Sequence, residues 1–459
     1  PVAVVGGGPV GLTAAAHLLA RGIPFAVLEA GAEVGAAVRQ WGHVAMFSPW
    51  RYTADKVARQ LLETTGWQAP PQDALPTGND LVDRYVAPLG RHPAIAPHVR
   101  LNARVTAIGR KDFDKVGTKG RDEQPFELHL DSGEVIEARA VIDASGTWSR
   151  PNPAGSGGLA VAGERENAAH IAYGIPDVKS GARARYAGKH AVVVGSGHSA
   201  FNVILDLLTL AEQAPGTQIT WVMRRENLAT VWGGGAADAL EARGELGARA
   251  KAAVESGRLT VLSPYRIRAI AKAGDGLAIT GALRGVESTV NAGEMIVCTG
   301  FRPDLAMLNE IRVTMDPWLE CTSALGPLID PNEHSCGTVR PHGAKELAHP
   351  EKDFFVIGMK SYGRAPTFLL ATGFEQARSV VAFLAGDLAA AARVELELPE
   401  TGVCNSTAVA GAAGCCGGPA PAEVDACCVK DADAKAAGES GCGCGTPAPQ
   451  PLLQIASRR

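Results

Sequence analysis

The first thirty residues constrain this chain more than any other stretch. A β-branched run, Val2 to Val5, leads into Gly6-Gly7-Gly8-Pro9-Val10-Gly11, and apolar residues at helical spacing (Leu12, Ala15, Ala16, Leu19, Ala20) lead away. Strand, glycine turn and helix in that order predict a dinucleotide site, with Gly6, Gly8, Pro9 and Gly11 at the ligand. Gly6 permits the tight turn, Gly8 lets backbone amides approach a pyrophosphate, and Gly11 lets the helix pack closely on the strand. The helix N-terminus then faces the diphosphate. A second strand, Phe25 to Leu28, ends at Glu29, placed to hydrogen-bond ribose hydroxyls.

At 459 residues the chain is long enough for roughly three domain-sized units. A net charge of -4 with 20% charged residues supplies no basic field for nucleic acid and no polybasic patch for a membrane surface. The apolar stretch from Val2 to Ala20 is interrupted by glycines and His17, short of the roughly 20 unbroken residues that a bilayer crossing needs. No basic segment marks a signal peptide, and Pro1 suggests that an initiator Met precedes it. Of ten cysteines, only Cys298, Cys321 and Cys336 fall in the first four hundred residues, a distribution that suits a cytoplasmic body rather than a disulfide framework.

Beyond Glu29, the segment Gly31 to Tyr52 carries Arg39, Trp41, His43, Ser48 and Trp50, suited to stack on or hydrogen-bond the working end of a bound cofactor; a buried aromatic corner is the alternative for Trp50. Ala54 to Leu62 and Asn79 to Leu89 have helical spacing. Val99 to Ile108, Phe126 to Leu130 and Val135 to Ala138 alternate as strands, around a charged stretch, Arg110 to Gln124, expected to be a solvated hairpin loop. The run Ala140 to Thr147 is expected to be a buried strand ending in a small-residue turn, Ser145-Gly146, close to the first nucleotide.

The opening architecture then recurs. His190 to Val194 is a strand, Gly195-Ser196-Gly197-His198-Ser199-Ala200 a second glycine loop, and Phe201 to Ala211 a helix. The next strand, Gln218 to Met223, ends in Arg224-Arg225, and two guanidinium groups where a ribose carboxylate would sit favour a 2'-phosphate, hence NADPH. Thr299-Gly300 closes this unit as Ser145-Gly146 closes the first. Two nucleotide sites in one chain imply electron transfer between their ligands, and FAD is the economical resident of the first.

These motifs resemble the two-dinucleotide-domain flavoproteins, the superfamily of flavin-containing monooxygenases and thioredoxin reductases, over residues 1 to about 395. Trp41-Gly42-His43, Phe47-Ser48-Pro49-Trp50, the Gly195 loop and Ser361-Tyr362-Gly363-Arg364-Ala365-Pro366-Thr367 are similar to flavin monooxygenases of bacterial arsenic-resistance operons. The resemblance implies further FAD contacts at Gly358, Thr372 and Gly373, the last two at a helix start aimed at the flavin's pyrimidine edge. Departures accompany the matches. Where the superfamily ends a strand in Gly-Asp, Gly358 is followed by Met359, so the ribityl contact must come from backbone or a nearby polar group. Gly163 lies too far ahead of His170 for the monooxygenase fingerprint, which leaves His170 an ordinary loop histidine. No Cys-x-x-Cys adjoins either loop, which weighs toward reduced flavin reacting with oxygen.

From about Glu400 the chain is rich in Ala, Gly and Pro, as expected for a disordered appendage. Its Cys415-Cys416, Cys427-Cys428 and Cys442-Gly-Cys444 suit a soft ion such as As(III) better than zinc. Incidental cysteines are the plainer alternative.

The resulting expectation is an α/β protein with two Rossmann-like domains: FAD domain 1–180 and 310–395, inserted NADPH domain 181–309, and Cys-rich tail 396–459. Its expected function is an FAD- and NADPH-dependent monooxygenase using O2 on a small soft nucleophile, in arsenic detoxification. The alternatives are a disulfide or metal reductase using the tail cysteines, a flavin-bearing metal chaperone, and an NADPH oxidase without a specific acceptor. No residue stands out as the catalytic acid or base.

Overall fold

Two parallel sheets carry the two glycine loops. The computed structural model describes residues 1–226, 231–232, 241–332 and 339–396. Before the inserted unit come β1 (Val2–Val5), β2 (Phe25–Leu28), β3 (Val99–Arg100), β4 (Val105–Arg110), β5 (Phe126–Leu130), β6 (Val135–Ala138) and β7 (Ala140–Asp143). The insertion carries β8 (Ile171–Tyr173), β9 (His190–Val194), β10 (Gln218–Val222), β11 (Thr260–Leu262), β12 (Tyr265–Ala273), β13 (Gly276–Leu283), β14 (Val286–Ala292) and β15 (Glu294–Val297), and β16 (Phe354–Val356) returns to the first body.

The first sheet has the order β16-β7-β1-β2-β3 and the second β11-β10-β9-β15-β8, each parallel throughout. Central β1 is buried at all four positions, which is why its sequence is an unbroken Val-Ala-Val-Val run rather than an alternating one. Helix Pro9–Ala20 is buried from Val10 to Leu18 because it lies between this sheet and helix Leu370–Leu384. Each fully buried leucine, such as Leu12 or Leu18, contributes about 1.5–3 kcal/mol of burial free energy. Each sheet is accompanied by an antiparallel layer, β4-β5-β6 or β12-β13-β14. Among the described residues no helix is long and apolar enough to cross a membrane.

Three expectations change. Val99 to Ile108 is two strands in different sheets, because Asn102 takes a left-handed φ of 52° and turns the chain out of the parallel sheet. The stretch Arg110 to Gln124 is not wholly solvated: Arg110 and Arg121 are buried on the Glu351 carboxylate at 2.8 and 2.6 Å, and Arg312 holds the carbonyls of Lys115, Val116 and Gly117. These pairs moor the hairpin to the returning segment, since a buried carboxylate needs paired cations. Finally, β8 pairs with β15, so the second sheet takes a strand from before the boundary expected at residue 181.

Candidate functional site: two nucleotide cradles

The first cradle forms where β1 and β7 end. Gly6 has φ 103°, and a Cβ there would sit 2.7 Å from the Ala144 carbonyl; one on Gly11 would sit 1.9 Å from the Gly6 carbonyl. Both glycines are therefore required by close backbone approach. Gly8 differs: it is the N-cap of helix Pro9–Ala20, makes no side-chain cap, and has open space where a Cβ would be. The first-turn amides of that helix consequently have no capping side chain, the arrangement that accepts a phosphate. Glu29, just past β2, is 9% exposed and accepts from the Gly7 and Gly31 amides, each at 2.7 Å. It braces the loop and is placed at its rim.

The rear of this cradle is polar. Asp143 pairs with Val5 and Val356 in the sheet, and its Oδ2 lies 2.6 Å from Lys360 Nζ. Ser145 donates to Asp143 Oδ1 through its amide (3.1 Å) and hydroxyl (2.6 Å), and its Oγ accepts from Lys360 at 3.0 Å. Gly146, with φ 69°, leaves open space where a Cβ would be. Gly358 (φ 70°) and Gly373 approach Val10, and the Gly358 amide donates to Gln376 Oε1 at 2.7 Å. Thr372 is buried in the first turn of helix Leu370–Leu384. Beside Met359, where sequence offered no acid, the structure thus supplies Lys360 and Asp143, residues sequence reasoning missed. An Asp inside the apolar run Ala140-Val141-Ile142-Asp143 was the available signal.

The segment after Glu29 divides. His43 Nε2 is buried with no hydrogen-bond partner in the protein, so this side chain fits a ligand contact. Arg39 instead directs its donors to Glu33, Asn79 and Asp83, at 3.3, 3.0 and 2.6 Å. Trp41 lies where a side chain on Gly78 would be, and Trp50 is buried with its amide on the Ala74 carbonyl. Arg39 and Trp41 are therefore engaged in holding the helix that starts at Gly78. Ser48 sits in the turn before the short helix Trp50–Tyr52, partly exposed.

The second cradle repeats the first. Gly195 (φ 129°) would clash with the Cys298 carbonyl at 2.3 Å, and Gly197 caps helix His198–Gln213 with no side-chain cap and open space around it. Ser196 and Ser199 flank that opening. Thr299 donates to the Asn152 carbonyl at 2.8 Å, and Gly300 (φ 88°) takes the turn beside Asn152. Arg224, exposed past β10, donates to the Ser156 carbonyl at 2.9 Å, and Arg225 is exposed beside it.

The two cradles abut. The Phe47 ring, from the first, lies 5.5 Å from the His198 ring at the second, and Trp148 Nε1 donates to Gln40 at 2.7 Å while stacking on Phe301 at 4.5 Å. Cys298 and Cys321 are buried and reduced, and burial pushes both thiols up to about 12. His170 Nδ1 lies 3.2 Å from the Gly293 carbonyl, a loop contact. Among the described residues no group of three or more His, Cys, Asp or Glu could hold a metal ion; Cys336 and the cysteines 415, 416, 427, 428, 442 and 444 lie outside the described residues.

Residues 3–324 match the pyridine nucleotide-disulphide oxidoreductase family model. The chain belongs to that family. By that family's description it is an oxidoreductase of the pyridine-nucleotide kind. It is 29% identical over 206 residues to the indole-3-pyruvate monooxygenase YUCCA1 of Oryza sativa subsp. japonica, covering 44% of each chain. It is 28% identical over 226 residues to a ferredoxin–NADP reductase of a Nocardioides species, covering 49% of this chain and 54% of that one. The chain thus spans about half the length of the curated relatives it matches. The bacillithiol disulfide reductase of Bacillus cereus shares the fold with a TM-score of 0.62 at 18% identity, over 84% of this chain and 98% of that one.

Proposed function

We propose that FAD occupies the cradle of Gly6 and Glu29, that NADPH occupies the cradle of Gly195 and Arg224-Arg225, and that the enzyme is a monooxygenase for a small soft nucleophile such as trivalent arsenic. The observation that carries oxygenation over disulfide reduction is the state of the two body thiols among the described residues. Cys298 and Cys321 are buried, separate and held neutral, and thiolate is the form that exchanges with disulfides.

When bound, FAD supplies two-electron chemistry between the nicotinamide and dioxygen. The chain's own groups bind and orient. Gly8 and Gly197 leave helix amides open to the two diphosphates, Glu29 braces the first loop and takes the adenosine ribose, and Arg224 with Arg225 takes the 2'-phosphate. Phe47 and His198 pack the gap between the cradles and limit water there. In the balanced reaction NADPH and a proton deliver two electrons, one atom of O2 enters the substrate and the other leaves as water. The arsenic assignment is supported by the sequence resemblance of the 41–50 and 361–367 segments and by the thiol-rich tail as an arm for a soft ion.

Full-length enzyme supplied with NADPH, O2 and arsenite tests this. Oxygen uptake, NADPH loss and pentavalent arsenic in equal amounts are expected. NADPH loss under nitrogen that needs an added aromatic disulfide, and that disappears on removing residues 400–459, would replace the monooxygenase by the tail-dependent reductase.

A further inference from the structure

We propose that Lys360 is a positioning residue for the first cradle, acting through Asp143 and Ser145 to hold the turn behind the cofactor. The role rests on FAD occupying that cradle.

The Lys360 and Asp143 side chains are 1% and 0% exposed and 2.6 Å apart. Removing both charges from water costs several kcal/mol per ion, so such a pair needs compensating bonds. Asp143 Oδ1 accepts both the amide and the hydroxyl of Ser145, while Oδ2 has no hydrogen-bond partner and faces the ammonium as an ion pair. The hydroxyl oxygen accepts from Lys360 while its proton goes to Asp143, which fixes the rotamer of Ser145.

The consequence falls on the backbone. The Ala144 amide donates to Val5, the Ile357 amide donates to Asp143, and the Ala144 carbonyl closes on Gly6. Three side chains therefore tie the tips of β1, β7 and β16 to the turn Gly358–Tyr362, immediately behind the glycine loop. That turn is braced from its other side, where Ser361 donates to the Gly358 carbonyl at 2.8 Å and Gln376 accepts from the Gly358 amide. An apolar pair would fill the same volume at equal or greater stability, but it has no directional bonds with which to aim the Ala144-Ser145-Gly146 backbone.

The full-length protein, stripped of flavin and titrated with FAD, tests this in three forms. Lys360→Met alone leaves Asp143 uncompensated and will lose stability, so the deciding variants are Ser145→Ala and the double variant Asp143→Asn with Lys360→Met. Each is expected to unfold in urea near the parent midpoint, to bind FAD about 10-fold more weakly, as for loss of a charge-assisted hydrogen bond, and to shift the visible spectrum of the bound flavin. Should the double variant fail to fold, Ser145→Ala carries the test, since it leaves the ion pair in place. FAD binding within twofold of the parent, with an unchanged spectrum, overturns the role of Lys360. Failure of the parent itself to bind FAD overturns the occupant of the cradle instead.

Discussion

In the first cradle the specificity group, Glu29, is nearly buried and both of its oxygens are held by backbone amides; in the second, Arg224 and Arg225 stand exposed, with Arg224 leaning on a loop carbonyl. Behind the first lies a network of charged and polar side chains, Asp143, Lys360 and Ser145, whereas in the second the place of Asp143 is taken by the buried apolar Val297, paired with Val194 as Asp143 is with Val5. The same strand, glycine turn and helix therefore make two different sites. A braced, buried cradle suits a cofactor that stays through many turnovers, and an exposed one suits a cofactor that must leave after each.

The contrast can be broken most severely at the glycines. Gly11→Ala places a Cβ 1.9 Å from the Gly6 carbonyl, and a loss of about 3 kcal/mol in urea unfolding is expected, together with loss of bound flavin. Gly8→Ala meets open space, so it should leave the unfolding midpoint within about 0.5 kcal/mol and show its effect only in FAD affinity. If both variants unfold alike, the close approach is not what holds the first cradle.

A smaller effect separates the two specificity groups. Arg224→Ala with Arg225→Ala should raise the KM for NADPH about 10- to 100-fold and leave that for NADH nearly unchanged, because only the 2'-phosphate loses its charged donors. Equal losses for both nucleotides would remove the exposed pair from the recognition of phosphate.

The smallest expected effect is in pH. His349, packed beside Phe354 of β16, has its pKa lowered by burial to about 4, against an ordinary value near 6.5. The unfolded chain takes up this proton first as pH falls, so the stability that His349 contributes above 6.5 is lost between about 6.5 and 4. Cys298, at the end of β15, behaves oppositely: its thiol is raised from 9.0 to about 12, and its contribution is lost as pH rises through that window. Hydrogen exchange should find the first sheet loosening toward pH 5 and the second toward pH 11. His349→Gln should flatten the acid slope, and an unchanged slope would remove His349 from it.

Much of this was legible along the chain. The glycine loops, the strands that feed them and the acid and arginines that follow are local patterns, and Val2–Val5, Phe25–Leu28 and His190–Val194 fall where the pattern puts them. Arg39 illustrates the limit: its residue type suits a ligand contact, but its three partners, Glu33, Asn79 and Asp83, are assembled from separate parts of the chain. The burial of Arg121 on Glu351, 230 positions away, is of the same kind.

The sequence by itself determined that two dinucleotide cradles exist and what charge each presents, because turn geometry and helix start depend on neighbours within a few residues. Only the tertiary structure decided that Asp143, Lys360 and Ser145 meet behind the first cradle and that Phe47, at the first, reaches His198 at the second. Lys360 stands 215 positions from Ser145, and Phe47 stands 151 from His198; sheet pairing and packing bring them together, and no spacing along the chain encodes that.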